Sequence, residues 1–398
     1  MKINEILYIS SLSSERLIEE IHEKTGGNPG YAAQKFNRLL ALGLIGNDIK
    51  TIVLSNPPIT PEVGGFWYNN REIENGVTYR YIPFVNKTLI KHVFVFTYTF
   101  FYVLLWGMKH RKDNAIVCDV LSISACMAAL MASKIVCVRS VGIVTDIYDK
   151  IVGEKAKGIK LFIKKLAGKL QAWYSTSFTH YVLLTEEMTN VVNPKNAPYI
   201  VLEAVCDDSV VTSSNVAKAP EPTIMYAGGL DEKYGLKALV DGFREIDRED
   251  IRLVIYGSGP YAEELKRVCS EDKRVSYKGV APNNEIVQAE QEATLLVNPR
   301  FTEGDFTRYS FPSKNIEYMA SGTPLLTTKL PGIPSDHYLF VYFFDEESAH
   351  GYGEKINEIL SLPKEVLEEK GKKAQAFVST NKNYIIQSKR IINLLEHN

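Results

Sequence analysis

A chain of 398 residues is longer than one hydrophobic core organises, so two domains are expected. Hydrophobic residues make up 45% and charged residues 23%, which excludes a disordered or fibrous chain. The net charge of −1 leaves no global field to gather nucleic acid, so nucleic acid is not an expected partner and any basic surface is local.

In chain order, short apolar runs alternate with longer amphipathic stretches, the pattern of repeated β–α units. The N-terminal segment MKINEILYISSLSSE holds acidic residues and no long apolar core, so no secretory signal is expected and a cytoplasmic location is. Strands are expected at 6–10, 50–55, 78–84, 115–120, 135–141, 181–185 and 199–205, with a helix over 32–42. The five cysteines (Cys118, Cys126, Cys137, Cys206, Cys269) form no CxxC pair and have no His at ligand spacing, which fits a reducing compartment and no structural zinc. Residues 209–222 (SVVTSSNVAKAPEP) are small, polar and proline-containing, and read as a linker. A second strand series follows at 223–226, 251–256, 275–278, 294–298 and 324–328. The reading is α/β, with two doubly wound domains at 1–208 and 209–379 that enclose a cleft, and a C-terminal helix over 380–398 returning to the first.

Four segments carry chemistry. In TGGNPGYAAQKF, Gly26, Gly27 and Gly30 precede an amphipathic helix; this suits close approach of a phosphate, though a plain turn needs glycines too. In YAGGLDEKYGLKALVDGF, a strand runs into Gly228–Gly229, with Lys233 nearby and a helix starting near Gly235. IRLVIYGSGPYAEELKR imitates a dinucleotide fingerprint through Gly257 and Gly259. The next strand, RVSYKGV, ends without the acidic residue that would bind ribose, so NAD is rejected. The strongest segment is LLVNPRFTEGDFTRYSFPSKNIEYMASGTPLLTT. There a strand delivers Arg300, and a helix opening near Pro312 puts Lys314 and Glu317 on one face. A cation beside a carboxylate suits a nucleoside diphosphate: Lys neutralises phosphate and Glu accepts from two ribose hydroxyls. An exposed Lys–Glu surface pair is the competing explanation.

These motifs, with PSK-x-x-EYMASGTP the most specific, make the chain resemble family 4 of the retaining glycosyltransferases, which have the GT-B fold, in the bacterial branch that builds surface polysaccharides. The resemblance covers nearly the whole chain. It implies that Glu317 holds the donor ribose, that Gly27, Gly228 and Gly229 face the diphosphate and sugar, and that Gly257 and Val280 border the base. Ser313 and Lys314 belong to the same donor motif. It also implies a nucleotide-sugar co-substrate, most commonly of uridine, with no metal or other cofactor, because basic side chains and helix dipoles take the cation's role.

Two departures stand out. The family's first glutamate, eight positions before the second, is Tyr309 here. Its usual Arg falls at Gly229 and its usual Lys at Tyr234, so diphosphate charge passes to Lys314, Arg300, Arg308 or Lys233, in that order. Near the family's His-Asp pair stand Thr145 and Asp146; Asp146 is read as binding the acceptor hydroxyl or helping to remove its proton, with a helix cap as the alternative. The catalytic set is therefore Asp146, Lys314 and Glu317.

Two stretches suggest a membrane surface. Residues 93–108 (VFVFTYTFFYVLLWGM) are uncharged but short for a span, which points to a buried or interfacial helix. Lys155 to Tyr174 (KAKGIKLFIKKLAGKLQAWY) reads as a basic amphipathic helix, either at the inner membrane face or packed on the core with a solvated basic side. In the resembled branch the acceptor is a glycan, commonly a lipid-linked saccharide. The expected function is retaining sugar transfer. A catalytically silent partner subunit, or an epimerase or phosphorylase of the same fold, is the alternative.

Overall fold

In a computed structural model of the chain, residues 2–25, 30–60, 63–109, 113–147, 159–207 and 216–397 are described. They form two compact units, one of residues 1–205, 308–310 and 384–398, the other of residues 206–307 and 311–383. Residues 209–215 of the expected linker lie outside the described residues, as does Gly27.

The first unit is built on strands β1 (Glu5–Ser10), β2 (Lys50–Ser55), β3 (Phe66–Trp67), β4 (Glu72–Glu74), β5 (Val77–Tyr81), β6 (Phe84–Val85), β7 (Asn114–Asp119), β8 (Arg139–Val144), β9 (His180–Leu183) and β10 (Tyr199–Val201). Eight of them make one sheet in the order β10-β9-β8-β7-β1-β2-β5-β4. All its pairings are parallel except β4 with β5. Every residue of β1 (EILYIS) and β7 (NAIVCD) is buried, which explains their unbroken apolar character: a central parallel strand is covered on both faces.

Some sequence boundaries move. The apolar run at 135–141 is not one strand: Ile135 and Val136 end a helix, Cys137 turns the chain at φ 54°, and β8 starts only at Arg139. The run at 78–84 breaks before Pro83, and β6 leaves the sheet to pair antiparallel with β3. The strand over 199–205 stops at Val201.

Helices α1 (Glu15–Thr25), α2 (Tyr31–Gly46), α3 (Thr88–Lys109), α4 (Ile123–Val136) and α5 (Ile159–Ser175) cover this sheet. Gly30 enters α2 at φ 79°, a left-handed conformation that glycine adopts without strain. Residues 155–158 of the basic stretch lie outside the described residues, and α5 carries the remainder.

The C-terminal helix Tyr384–His397 packs along α2 and sends Ile391, Ile392 and Leu395 into the first core. Ser388 Oγ donates to Leu40 O at 3.0 Å, and Asn47 Nδ2 donates to Ile385 O at 2.9 Å.

The second unit is a six-stranded, all-parallel sheet ordered β13-β12-β11-β14-β15-β16. Its strands are β11 (Thr223–Gly229), β12 (Arg252–Ser258), β13 (Val275–Gly279), β14 (Leu295–Asn298), β15 (Leu325–Thr327) and β16 (Tyr342–Phe343). The two-residue β16 was not expected, being too short to show a period of two. Helices α6 (Leu236–Glu245), α7 (Ala262–Glu271), α8 (Asn283–Glu292), α9 (Lys314–Ala320), α10 (Ala349–Leu360) and α11 (Lys364–Asn381) complete it.

The crossing of α2 with the C-terminal helix yields a sharp test. A Cβ on Gly43 would lie 2.1 Å from Tyr384 O and 2.3 Å from Ser388 Oγ. Helix propensity alone favours Gly43→Ala by about 1 kcal/mol, whereas forcing these backbones apart costs about 1–3 kcal/mol. The expected outcome is net destabilisation in urea melts, and a more stable variant would mean the C-terminal helix is not seated on Gly43.

Candidate functional site

In the second unit β11 pairs with β12 along its whole length, but with β14 only at Ile224 and Met225. Beyond Met225, β11 and β14 part. Strand order also reverses there, with β12 and β13 to one side and β14, β15 and β16 to the other. In open doubly wound sheets such a parting, at the carboxyl ends of the strands, is where ligands bind.

The parting leaves peptide groups without a strand partner, and tyrosine hydroxyls take them up. Tyr318 of α9 is buried; its hydroxyl accepts from Ala227 N–H at 2.7 Å and donates to Ala227 O at 3.1 Å, standing where β14 has turned away. Tyr226 donates to Gly229 O at 2.9 Å, Tyr277 to Gly257 O at 3.0 Å, and Tyr352 to Pro299 O at 2.8 Å. The rim of the sheet is thus braced at four points. Gly257 has a structural reason of its own, since at φ 131° a Cβ there would sit 1.8 Å from Gly228 O. The glycine pattern that imitates a dinucleotide fingerprint therefore serves the packing of β12 on β11.

The bracing positions the charged residues. Arg300, just after β14, puts its guanidinium 5.7 Å from the Tyr234 ring centre, and Lys233 puts Nζ 5.0 Å from the same ring. Lys233 also pairs with Asp231 at 3.3 Å. Two cations from different loops therefore meet at one aromatic ring, and a Cβ on Gly229 would touch that ring at 3.2 Å.

Lys314 and Glu317 share a face of α9, as their spacing predicts, and their side chains pair at 2.7 Å. This is more than a surface pair. Glu290 of α8, its side chain 1% exposed, lies 3.9 Å from Lys314 Nζ, while Lys314 and Glu317 are half-buried. Lys314 thus stands between two carboxylates. Glu290 was not singled out from sequence, because NNEIVQAEQE reads as an ordinary polar helix.

Ser313 and Gly229 are exposed, and Val280, just past β13, is 77% exposed. Residues 308–310 group with the first unit. Tyr309 packs against that unit's apolar core, and Arg308 O accepts from Thr185 Oγ1 at 2.8 Å.

In the first unit strand order reverses between β1 and β7, which stay paired from Glu5 to Ile9, and a polar network lies toward their carboxyl ends. Tyr8 donates to Asn37 Oδ1 at 2.6 Å, Asn37 Nδ2 donates to Asp119 Oδ2 at 3.2 Å, and Leu121 N–H donates to Asp119 Oδ1 at 3.1 Å. Asp146 follows β8 and lines a small cavity of about 50 Å³ with Val120, Gln171 and Ser175. Burial raises the Asp119 carboxyl to about 6, the two hydrogen bonds oppose the rise, and the negative charge of Asp146 adds to it. Asp119 escaped the sequence reading because CDV looks like the end of any buried strand.

Asp119 has its higher pKa in the folded state, so the folded chain holds the extra proton between about pH 4 and 6. Its contribution to stability is therefore greatest below that window and is lost as pH rises through it, by about 2–3 kcal/mol. In Asp119→Asn this fall should vanish. Urea melts at the two ends of the window measure it, and an identical pH slope in parent and variant would remove Asp119 from the buried titrating groups.

Comparison with known proteins bears on both units. Residues 221–361 match a family model described as glycosyl transferases group 1. WcaL of Escherichia coli K12, named as a colanic acid biosynthesis glycosyltransferase, is 27% identical over 129 residues, or 31% of this chain. The match spans about a third of that relative, 32% of its length. Crystal structures share the fold along the whole chain. HepE of Anabaena in complex with UDP superposes with a TM-score of 0.63 at 13% identity, covering 100% of both chains. Sucrose-phosphate synthase of Thermosynechococcus elongatus gives 0.64 at 13%, covering 98% of each. A glycosyltransferase from Rickettsia africae gives 0.65 at 11%, covering 100% of each. The chain thus has the GT-B fold, and its residues 221–361 are similar to the glycosyl transferases group 1 family.

Proposed function

We propose that this protein transfers a sugar from a nucleoside diphosphate donor, of uridine, to a saccharide acceptor with retention of anomeric configuration and without a divalent cation. The observation that carries the proposal is the placement of Glu317. It is half-buried on a helix whose next residue, Tyr318, is bonded to the backbone of β11 where β11 and β14 part. A carboxylate held there accepts two ribose hydroxyls. HepE, of the same fold, has been crystallised with UDP and with UDP-glucose, which supports a uridine donor.

In this reading the diphosphate lies toward Arg300 and Lys233, whose charges take the place a divalent ion has in other transferases. The acceptor hydroxyl attacks the anomeric carbon from the face the diphosphate leaves, through an oxocarbenium-like transition state. The bond to the acceptor oxygen forms as the bond to the phosphate oxygen breaks, and that phosphate oxygen receives the proton. Orientation and preorganised charge supply most of the acceleration. Asp146, in the first unit, contacts the acceptor hydroxyl, and a lipid-linked saccharide is the acceptor class we favour. A silent partner subunit is the second reading. It is favoured by Tyr309, which stands where the resembled family has a glutamate and packs on an apolar core. Turnover of donor by the purified chain separates the two.

Glu317→Gln keeps the side-chain shape but removes the charge. Binding of UDP by calorimetry should weaken about ten- to a hundredfold, or about 1.5–3 kcal/mol, with little change in melting temperature. Parent affinity should be the same with and without chelator. Unaltered binding in the variant would displace the donor from Glu317, and loss of parent binding on chelation would end the metal-free reading.

A further inference from the structure

Helix α3 is amphipathic in reverse. Ile90, Phe94, Thr97, Phe101, Leu105 and Met108 recur every three or four residues, so they form one stripe, and every one of them is exposed. Phe101 is 56% exposed, Leu105 61% and Met108 58%. The opposite stripe, Val95, Thr99 and Val103, is buried, and Gly107 lets α4 approach so closely that a Cβ there would lie 2.4 Å from Val136. An apolar groove of about 640 Å³ runs along the outer face, lined by Pro83, Phe94, Tyr98, Phe101, Tyr102 and Leu105. A contiguous exposed apolar stripe of this kind marks an interaction surface. Residues 93–108 carry no charge, while exposed Lys87 and Lys109 flank them, with Lys91 beside the first turn.

We infer that α3 docks the protein on an anionic lipid surface, lying in the plane of the interface with its apolar stripe among the acyl chains. Three observations favour lipid. Cations at both ends complement anionic headgroups. Two copies joined through the stripe, parallel or antiparallel, would set lysine against lysine at both ends. Leu89–Lys109 is long and apolar enough to cross a membrane, but its inner stripe is buried in the unit, so only the outer stripe is open to lipid. This assigns membrane contact to α3 rather than to the basic stretch 155–174, and it stands whether or not the protein transfers sugar.

The test is co-sedimentation of the full chain with phosphatidylcholine–phosphatidylglycerol vesicles. The parent should bind, and less well at high salt or with pure phosphatidylcholine. The triple variant Phe94→Gln, Phe101→Gln, Leu105→Gln should bind about tenfold or more weakly, with a melting temperature unchanged or higher because these side chains are exposed. Lys164→Glu with Lys165→Glu should bind like the parent. Failure of the parent to bind, parent-like binding by the triple variant, or loss only in the double lysine variant would each overturn the inference. So would a parent dimer that the triple variant turns into a monomer without any vesicle binding.

Discussion

The hydrogen bonding of the rim of the second sheet is the constraint on which the rest of that unit depends. Where β11 and β14 part, backbone groups lose their strand partners, and a buried peptide left unsatisfied costs about 1–3 kcal/mol. Tyr318, Tyr226, Tyr277 and Tyr352 place hydroxyls on Ala227, Gly229, Gly257 and Pro299. The sheet can therefore open at Ala227 and Gly229 without leaving those groups unpaired, while Tyr277 and Tyr352 tie down β12 and the loop that carries Arg300. Tyr318 does most, because it joins the rim to the helix that bears Glu317 and Lys314.

The first unit solves the corresponding problem differently. Its strand order reverses between the paired β1 and β7, and side-chain amides and a carboxylate gather toward their carboxyl ends. Gln34 accepts from Ser13 N–H at 2.9 Å and donates to Ser11 O at 2.9 Å, next to the Tyr8–Asn37–Asp119 chain. This makes a polar floor with a titratable group in it, in contrast to the braced, glycine-rich rim of the second unit.

The apolar residues of the chain divide by what covers them. β1, β7 and the β11–β14 core are apolar because they are enclosed. Helix α3 is as apolar as they are, yet much of its surface faces outward. The same residue types thus build a core in one place and a surface in another, and hydropathy does not distinguish them.

Sequence alone determined much of this protein. The alternation of buried runs and amphipathic helices, which follows from parallel strands covered on both faces, set out two doubly wound units. The i, i+3 spacing put Lys314 and Glu317 on one face because a helical turn is local geometry. Only the tertiary structure decided what depends on residues distant in the chain. Glu290 approaches Lys314 from another helix, Asp119 becomes hard to ionise because the fold buries it and brings Asp146 near from a separate segment, and Arg300 meets Lys233 across Tyr234. Whether the stripe of α3 faces a core or the outside was likewise undecidable from its period, because a helix has one periodicity and two sides. Which side is covered depends on where α4 packs.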